Sequence, residues 1–257
     1  MIAAAVLLCV AAAEPQSPPP DPPAGDSTAQ RLRKMSDPDP AVRREARAEL
    51  VRRGGAAVPG VINALSAGDA RTRRHAVEAI AAIGPQARRA APVLLVTGIR
   101  DQDPGVRAGS LTALSRIGAD STRTADALAA GLRDREPAVR RAAVEGLMRL
   151  GPKAITAVPE LSTTLRHEPE TGIRRDAAVA LGQMGAEGGS GFGALLRAAG
   201  ADPDSGVRMR ARRAMLRLVR AGADETSLWA ARDDPDPAVR SAARELLDRL
   251  GGDADRP

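Results

Sequence analysis

Asp37 to Gly54 reads D-P-D-P-A-V-R-R-E-A-R-A-E-L-V-R-R-G. Nearly the same string returns as D-Q-D-P-G-V-R-A-G-S-L-T-A-L-S-R-I-G at Asp101 to Gly118 and as D-R-E-P-A-V-R-R-A-A-V-E-G-L-M-R-L-G at Asp134 to Gly151. A fourth copy, D-P-D-P-A-V-R-S-A-A-R-E-L-L-D-R-L-G, spans Asp234 to Gly251, and looser copies surround Arg73, Arg174 and Arg208. Aligned on one anchor arginine per copy (Arg43, Arg73, Arg107, Arg140, Arg174, Arg208 and Arg240), the units lie 30, 34, 33, 34, 34 and 32 residues apart. A sustained period of this length marks stacked structural repeats, each too small to bury its apolar face alone.

Each column of the repeat has a physical role. Just before the anchor stands Val42, Thr72, Val106, Val139, Ile173, Val207 or Val239, and three residues before that an acid: Asp39, Asp69, Asp103, Glu136, Glu170, Asp204 or Asp236. An acid there caps the free amides of a helix start and meets the positive end of its dipole. Pro40, Pro104, Pro137 and Pro237 follow, in the first turn, where a missing N–H is harmless. Four residues past the apolar position is a small residue (Ala46, Ala76, Ser110, Ala143, Ala177, Ala211, Ala243), and eight past a large one (Leu50, Ile80, Leu114, Leu147, Leu181, Met215, Leu247). At helical spacing these share one face, the small side chains allowing close approach and the large ones filling the core. Six units then stop on glycine, at 54, 84, 118, 151, 185 and 251; the sixth has Val219 there, with Gly222 soon after.

Shorter apolar segments lie between these helices: Val58 to Leu65, Pro92 to Ile99, Ala125 to Leu132, Ile155 to Leu165 and Leu228 to Ala231. Each unit therefore reads as a hairpin, an A helix followed by the patterned B helix. The expected fold is all-α, a right-handed α-solenoid of about seven hairpins. The pattern acid-x-x-(V/I)-R…A…L…G resembles the HEAT-repeat family, in its short bacterial PBS-lyase HEAT-like form, over roughly residues 26–251. The resemblance implies a fold and says almost nothing about activity. Two enzyme classes share it. The phycobilin lyases work as heterodimers and sit poorly with export. The alkylpurine DNA glycosylases hold a damaged nucleotide with several aromatic residues. Neither activity is carried over to this chain.

Composition agrees with the pattern. The 257 residues are 43% hydrophobic and 27% charged, with Phe192 and Trp229 the only aromatics. That is too little aromatic content for a β-sandwich or barrel. Residues 1–13 form an apolar run that includes Cys9, the one cysteine, and ends on Ala11-Ala12-Ala13. The run is shorter than the roughly 20 apolar residues of a membrane span, so no stable membrane anchor is expected. It reads as a signal peptide for export to the periplasm, envelope or exterior, although no Lys or Arg precedes it; the alternative is a frayed hydrophobic N-terminus on a cytoplasmic protein. Residues 14–25 are a Pro-rich linker and 252–257 a short tail.

Little here supports catalysis or a cofactor. His75 and His167 lie about three repeats apart, without a ligand cluster, so no metal site is expected. The Asp-x-Asp pairs (Asp37/Asp39, Asp101/Asp103, Asp202/Asp204, Asp234/Asp236) lead into helices and not into a calcium loop. Gly188-Gly189-Ser190-Gly191-Phe192-Gly193 lacks the Lys-Ser/Thr ending of a phosphate loop and reads as a flexible connector, with Phe192 docking into the core. Trp229 is placed in the last hairpin.

Charge carries the remaining signal. Net charge is +6, but the seven B helices alone hold +17. The anchor arginines, each with an acid four residues earlier, are assigned to a structural Asp–Arg ladder, local or between repeats. Two further columns face solvent: Arg44, Arg74, Arg141 and Arg175 in one, and Arg52, Arg116, Arg149, Arg217 and Arg249 in the other. Unit six adds Arg210, Arg212 and Arg213. These twelve are the candidate binding residues of a non-enzymatic scaffold whose basic concave surface takes an acidic protein segment. The alternative is a polyanion binder, for nucleic acid or an anionic envelope polymer. The lack of stacking aromatics counts against nucleic acid.

Overall fold

The computed structural model describes residues 27–223 and 226–250. The apolar run 1–13, the Pro-rich linker 14–25 and the tail 252–257 lie outside the described residues.

The described chain is all-α and falls into seven hairpins. Their A helices are α1 (Thr28–Lys34), α3 (Val58–Ala67), α5 (Ala91–Arg100), α7 (Ser121–Gly131), α9 (Val158–His167), α11 (Phe192–Ala201) and α13 (Thr226–Ala230). Their B helices are α2 (Pro40–Arg53), α4 (Ala70–Ile83), α6 (Pro104–Ile117), α8 (Pro137–Leu150), α10 (Thr171–Leu181), α12 (Ser205–Arg220) and α14 (Pro237–Arg249). Each of α4, α6, α8 and α10 packs on the B helix of the next unit, and α5–α7 and α9–α11 make the matching A-layer contacts. The product is a solenoid in which no hairpin stands alone.

The periodic columns build the core. Every small and every large member of the two columns is buried, from Ala46 and Leu50 in α2 to Ala243 and Leu247 in α14. Helix ends follow the local chemistry. Asp39, Asp69, Asp103, Asp204 and Asp236 accept a backbone N–H of the first turn of their helices. Glu136 and Glu170 occupy the same position without a side-chain cap bond. At the other end, Gly54, Gly84, Gly118, Gly151, Gly185 and Gly222 have positive φ, a conformation that only glycine adopts without strain.

Two details differ from the sequence reading. Helix α10 ends at Leu181 and not at residue 184, and Gly182, its next residue, is pressed against α12. A Cβ there would lie 2.6 Å from both Cα and Cβ of Ala214. The glycine-rich stretch is a packed joint and not a flexible connector. Ala186–Gly191 forms a 3-10 turn leading straight into α11. Gly188 and Gly191 are buried, and added Cβ atoms would meet Met184 Cβ at 2.6 Å and Leu181 Cδ2 at 2.9 Å. Phe192 is fully buried beside them.

Candidate functional site

The anchor arginines share one set of bonds. Nη1 of Arg43, Arg107, Arg140, Arg174, Arg208 and Arg240 donates to the two carbonyls five and six residues back, tying down the loop that enters its own helix. Arg73 makes one such bond, to Gly68 O. Four of the seven then use the other edge of the guanidinium on the next unit. Nε and Nη2 of Arg73 grip Asp101 at 2.8 Å each, and those of Arg107 grip Asp134 at 2.7 and 2.8 Å. Arg140 holds Glu168 at 2.7 and 2.8 Å, and Arg174 holds Asp202 at 3.0 and 3.2 Å.

The ladder runs between repeats, but not through the acid four residues before each anchor. That acid caps its helix in five of the seven units. The rung reaches instead to the first acid of the following acid-x-acid pair, which also accepts the backbone N–H two residues on. Burial pushes Asp101, Asp134 and Glu168 up, yet the facing guanidinium and that N–H outweigh it, and all three titrate below the ordinary range.

The twelve candidate binding arginines divide into three groups. Five hold carboxylates. Arg74 is bidentate to Asp103, and Arg175 to Asp204 at 2.9 and 2.7 Å, so these two are cross-repeat struts. Arg52 pairs with Glu45 and Glu49, Arg212 with Glu245 at 3.4 Å, and Arg249 with Glu245 at 2.8 Å. Arg149 donates to Ser115 Oγ of the preceding unit. The remaining six, Arg44, Arg116, Arg141, Arg210, Arg213 and Arg217, are exposed and make no ion pair among the described residues.

The struts predict an acid limit. Hydrogen bonds from Arg74 and Arg175 hold Asp103 and Asp204 down at about 2, from an ordinary 3.8. A depressed folded pKa means that the unfolded chain binds more protons between those values. The stabilisation is therefore complete above pH ~4 and is lost as pH falls towards ~2. Thermal melts followed by circular dichroism are expected to stay level from neutral pH to about 5 and to fall steeply below 4. The Asp103→Asn, Asp204→Asn double variant should show a shallower fall.

Unpaired charge concentrates on α12. This helix, SGVRMRARRAMLRLVR, holds six arginines and no acid. Val207, Ala211, Ala214, Met215 and Leu218 face the core, leaving Arg210, Arg213, Arg217 and Arg220 exposed at steps of three and four residues, along one face. None of these four forms an ion pair among the described residues, and Met209 flanks them, 44% exposed. Arg220 belongs to this face although it falls outside both sequence columns; only the extension of α12 past the usual stop brings it there. Trp229 is half-buried, with the Arg232 guanidinium 5.4 Å from its ring centroid. Among the described residues, no three His, Cys, Asp or Glu side chains are grouped to hold a metal ion.

Comparison with known proteins identifies the architecture. A model of HEAT repeats matches residues 26–115, 58–134 and 125–216. The complex of CpcE and CpcF of phycocyanin lyase from Nostoc sp. PCC7120 contains a similar chain, 21% identical with a TM-score of 0.52, the match covering 60% of this chain and 96% of that one. An engineered protein is 19% identical with a TM-score of 0.53, over 87% of this chain and 68% of its own. At such identities the likeness shows the fold alone. No curated protein matches the sequence. The matched repeats run from residue 26 to residue 216, well over half of the sequence, and the chain belongs to the HEAT-repeat family.

Proposed function

We propose that this protein is a non-enzymatic scaffold that binds an acidic protein segment along the exposed face of α12. A repeat scaffold with no sign of catalysis is suited to protein interaction. The observation that carries the finer reading is the run Arg210, Arg213, Arg217 and Arg220 on a helix without an acid. Elsewhere on the B helices, Arg47, Arg52, Arg74 and Arg249 are held by carboxylates, and among the described residues no helix other than α12 carries more than two exposed arginines without an ion pair. Like charges three and four residues apart each weaken a helix by a few tenths of a kcal/mol. A partner carrying Asp and Glu at matching intervals removes that repulsion and gains charge-assisted hydrogen bonds. Met209 supplies an apolar contact at the margin.

The test is a pull-down from the source cell extract with the immobilised solenoid. Arg213→Glu combined with Arg217→Glu is the variant of choice, because both are exposed on this face without an ion pair among the described residues, whereas Arg212 lies 3.4 Å from Glu245. The wild type is expected to retain an acidic protein and the variant to lose it, with helicity unchanged. Equal retention by both proteins would sink the reading. Recovery of nucleic acid in its place, with a log–log salt slope of about −0.9 per phosphate neutralised, would replace it with polyanion binding.

A further inference from the structure

Four anchor arginines close their rungs on a carboxylate of the next unit; Arg43 does not. Its Nη1 donates to Asp37 O at 2.7 Å and Pro38 O at 2.8 Å, as its counterparts do, but its Nε and Nη2 have no partner among the described residues. The cause lies in the second unit. Asp101, Glu168 and Asp202 cap the A helices α5, α9 and α11, and the equivalent cap of α3 is Gly68. No side chain fits there, since a Cβ would lie 2.5 Å from Ala64 O and 2.7 Å from Thr72 Cγ2. The rung has lost its acid and kept its guanidinium. Arg208 and Arg240 also bond through Nη1 alone, but both are half-buried, whereas Arg43 is exposed.

A cavity of about 470 Å³ opens beside Arg43 between α2 and α4, and Arg44, Arg47, His75 and Glu78 also line it. Two of these side chains are already engaged: Arg47 pairs with Glu78 at 3.0 Å, and His75 Nε2 shares a hydrogen bond of 2.7 Å with Ser36 Oγ. Among the described residues, Arg43 and Arg44 are left as two positive charges without a carboxylate.

We propose that this cavity is a binding site for a dicarboxylate. One carboxylate is taken by the Nε/Nη2 edge of Arg43, the edge with which the other anchors hold Asp101, Asp134, Glu168 and Asp202, and the second reaches Arg44. The same edge already binds carboxylates four times in this protein, each through two near-parallel N–H···O bonds. Glu78 on the wall opposes the concentrated double charge of a phosphate more than two carboxylates set apart. The ligand chemistry has two sources, a free dicarboxylate or two acidic side chains of a peptide. The site is separate from α12 and does not rest on the function proposed above.

The experiment is a titration of the full chain with three probes: succinate, an acetylated and amidated Glu-Glu dipeptide, and inorganic phosphate. Calorimetry reads affinity, and the Arg43 Nε–H resonance reads location. Succinate or the dipeptide is expected to bind at one saturable site and to move that resonance. The tighter of the two identifies the source. Arg43→Gln is expected to weaken binding by roughly tenfold or more, the worth of one bidentate charge-assisted contact. Arg44→Gln, at a side chain that makes no ion pair among the described residues, should weaken it several-fold without changing the melting temperature. Absence of saturable binding, equal affinity in both variants, or phosphate binding as tightly as succinate would overturn the proposal. Partner retention through α12 should be unchanged in either variant, so the two readings stand or fall separately.

Discussion

Arg107→Ala is expected to lower the unfolding free energy by about 3–5 kcal/mol, the usual cost of removing one partner from a buried ion pair. The Arg107 side chain is 6% exposed and that of Asp134 13%, so solvent cannot take over the pairing. The substitution removes two bonds to Asp134 and two to the carbonyls of Asp101 and Gln102, and it leaves a carboxylate stranded between two units. Denaturant unfolding measures the effect. Asp134→Ala should cost a comparable amount, and the double variant clearly less than the sum, since neither charge is then left alone. Arg133→Ala supplies the contrast. That side chain also pairs with a carboxylate, Glu160, but is 73% exposed, and such a pair contributes about 0–1 kcal/mol.

Leu111→Ala should be nearly as damaging, at about 2–5 kcal/mol. Leu111 is fully buried on α6 and is keyed into two A helices at once. Its Cδ1 would stand 2.5 Å from a Cβ on Gly131 of α7, and its Cδ2 3.2 Å from one on Gly98 of α5. Both glycines exist to admit this side chain, so the cavity left by alanine cannot close from either side. Equilibrium unfolding and the melting temperature check it. A loss below about 1 kcal/mol would mean that α5 and α7 move in to fill the gap.

Much of this was open to reading in the sequence because repetition turns weak preferences into columns. A single Ala at position 143 says little. Seven small residues at the same offset say that two helices meet there. The caps and the glycine stops were equally legible, as each depends on a few neighbouring residues. What could not be read was the choice of partner across units. Asp103 and Asp101 lie two residues apart, and sequence spacing alone favours Asp103, which precedes Arg107 by four. Only the stacking geometry shows that Asp103 faces Arg74 and Asp101 faces Arg73. The same limit hid the difference between Arg74 and Arg44, identical in register, one held by Asp103 and the other without an ion pair among the described residues. Arg220 was missed because it stands outside the two solvent-facing columns, and the joint at Gly188 because close packing and flexibility both call for glycine.

The closed rungs run consecutively, from Arg73 through Arg174, and every one reaches forward. Together they form an ionic spine fastening the second unit to the sixth, while the outermost hairpins hang from its two tips. Because units in such an array touch only their neighbours, loosening starts where the fastening is weakest. The molecule should accordingly fray from its extremities inward, its backbone amides trading hydrogen for deuterium first in α1, α2 and α14 and last along α6 to α10.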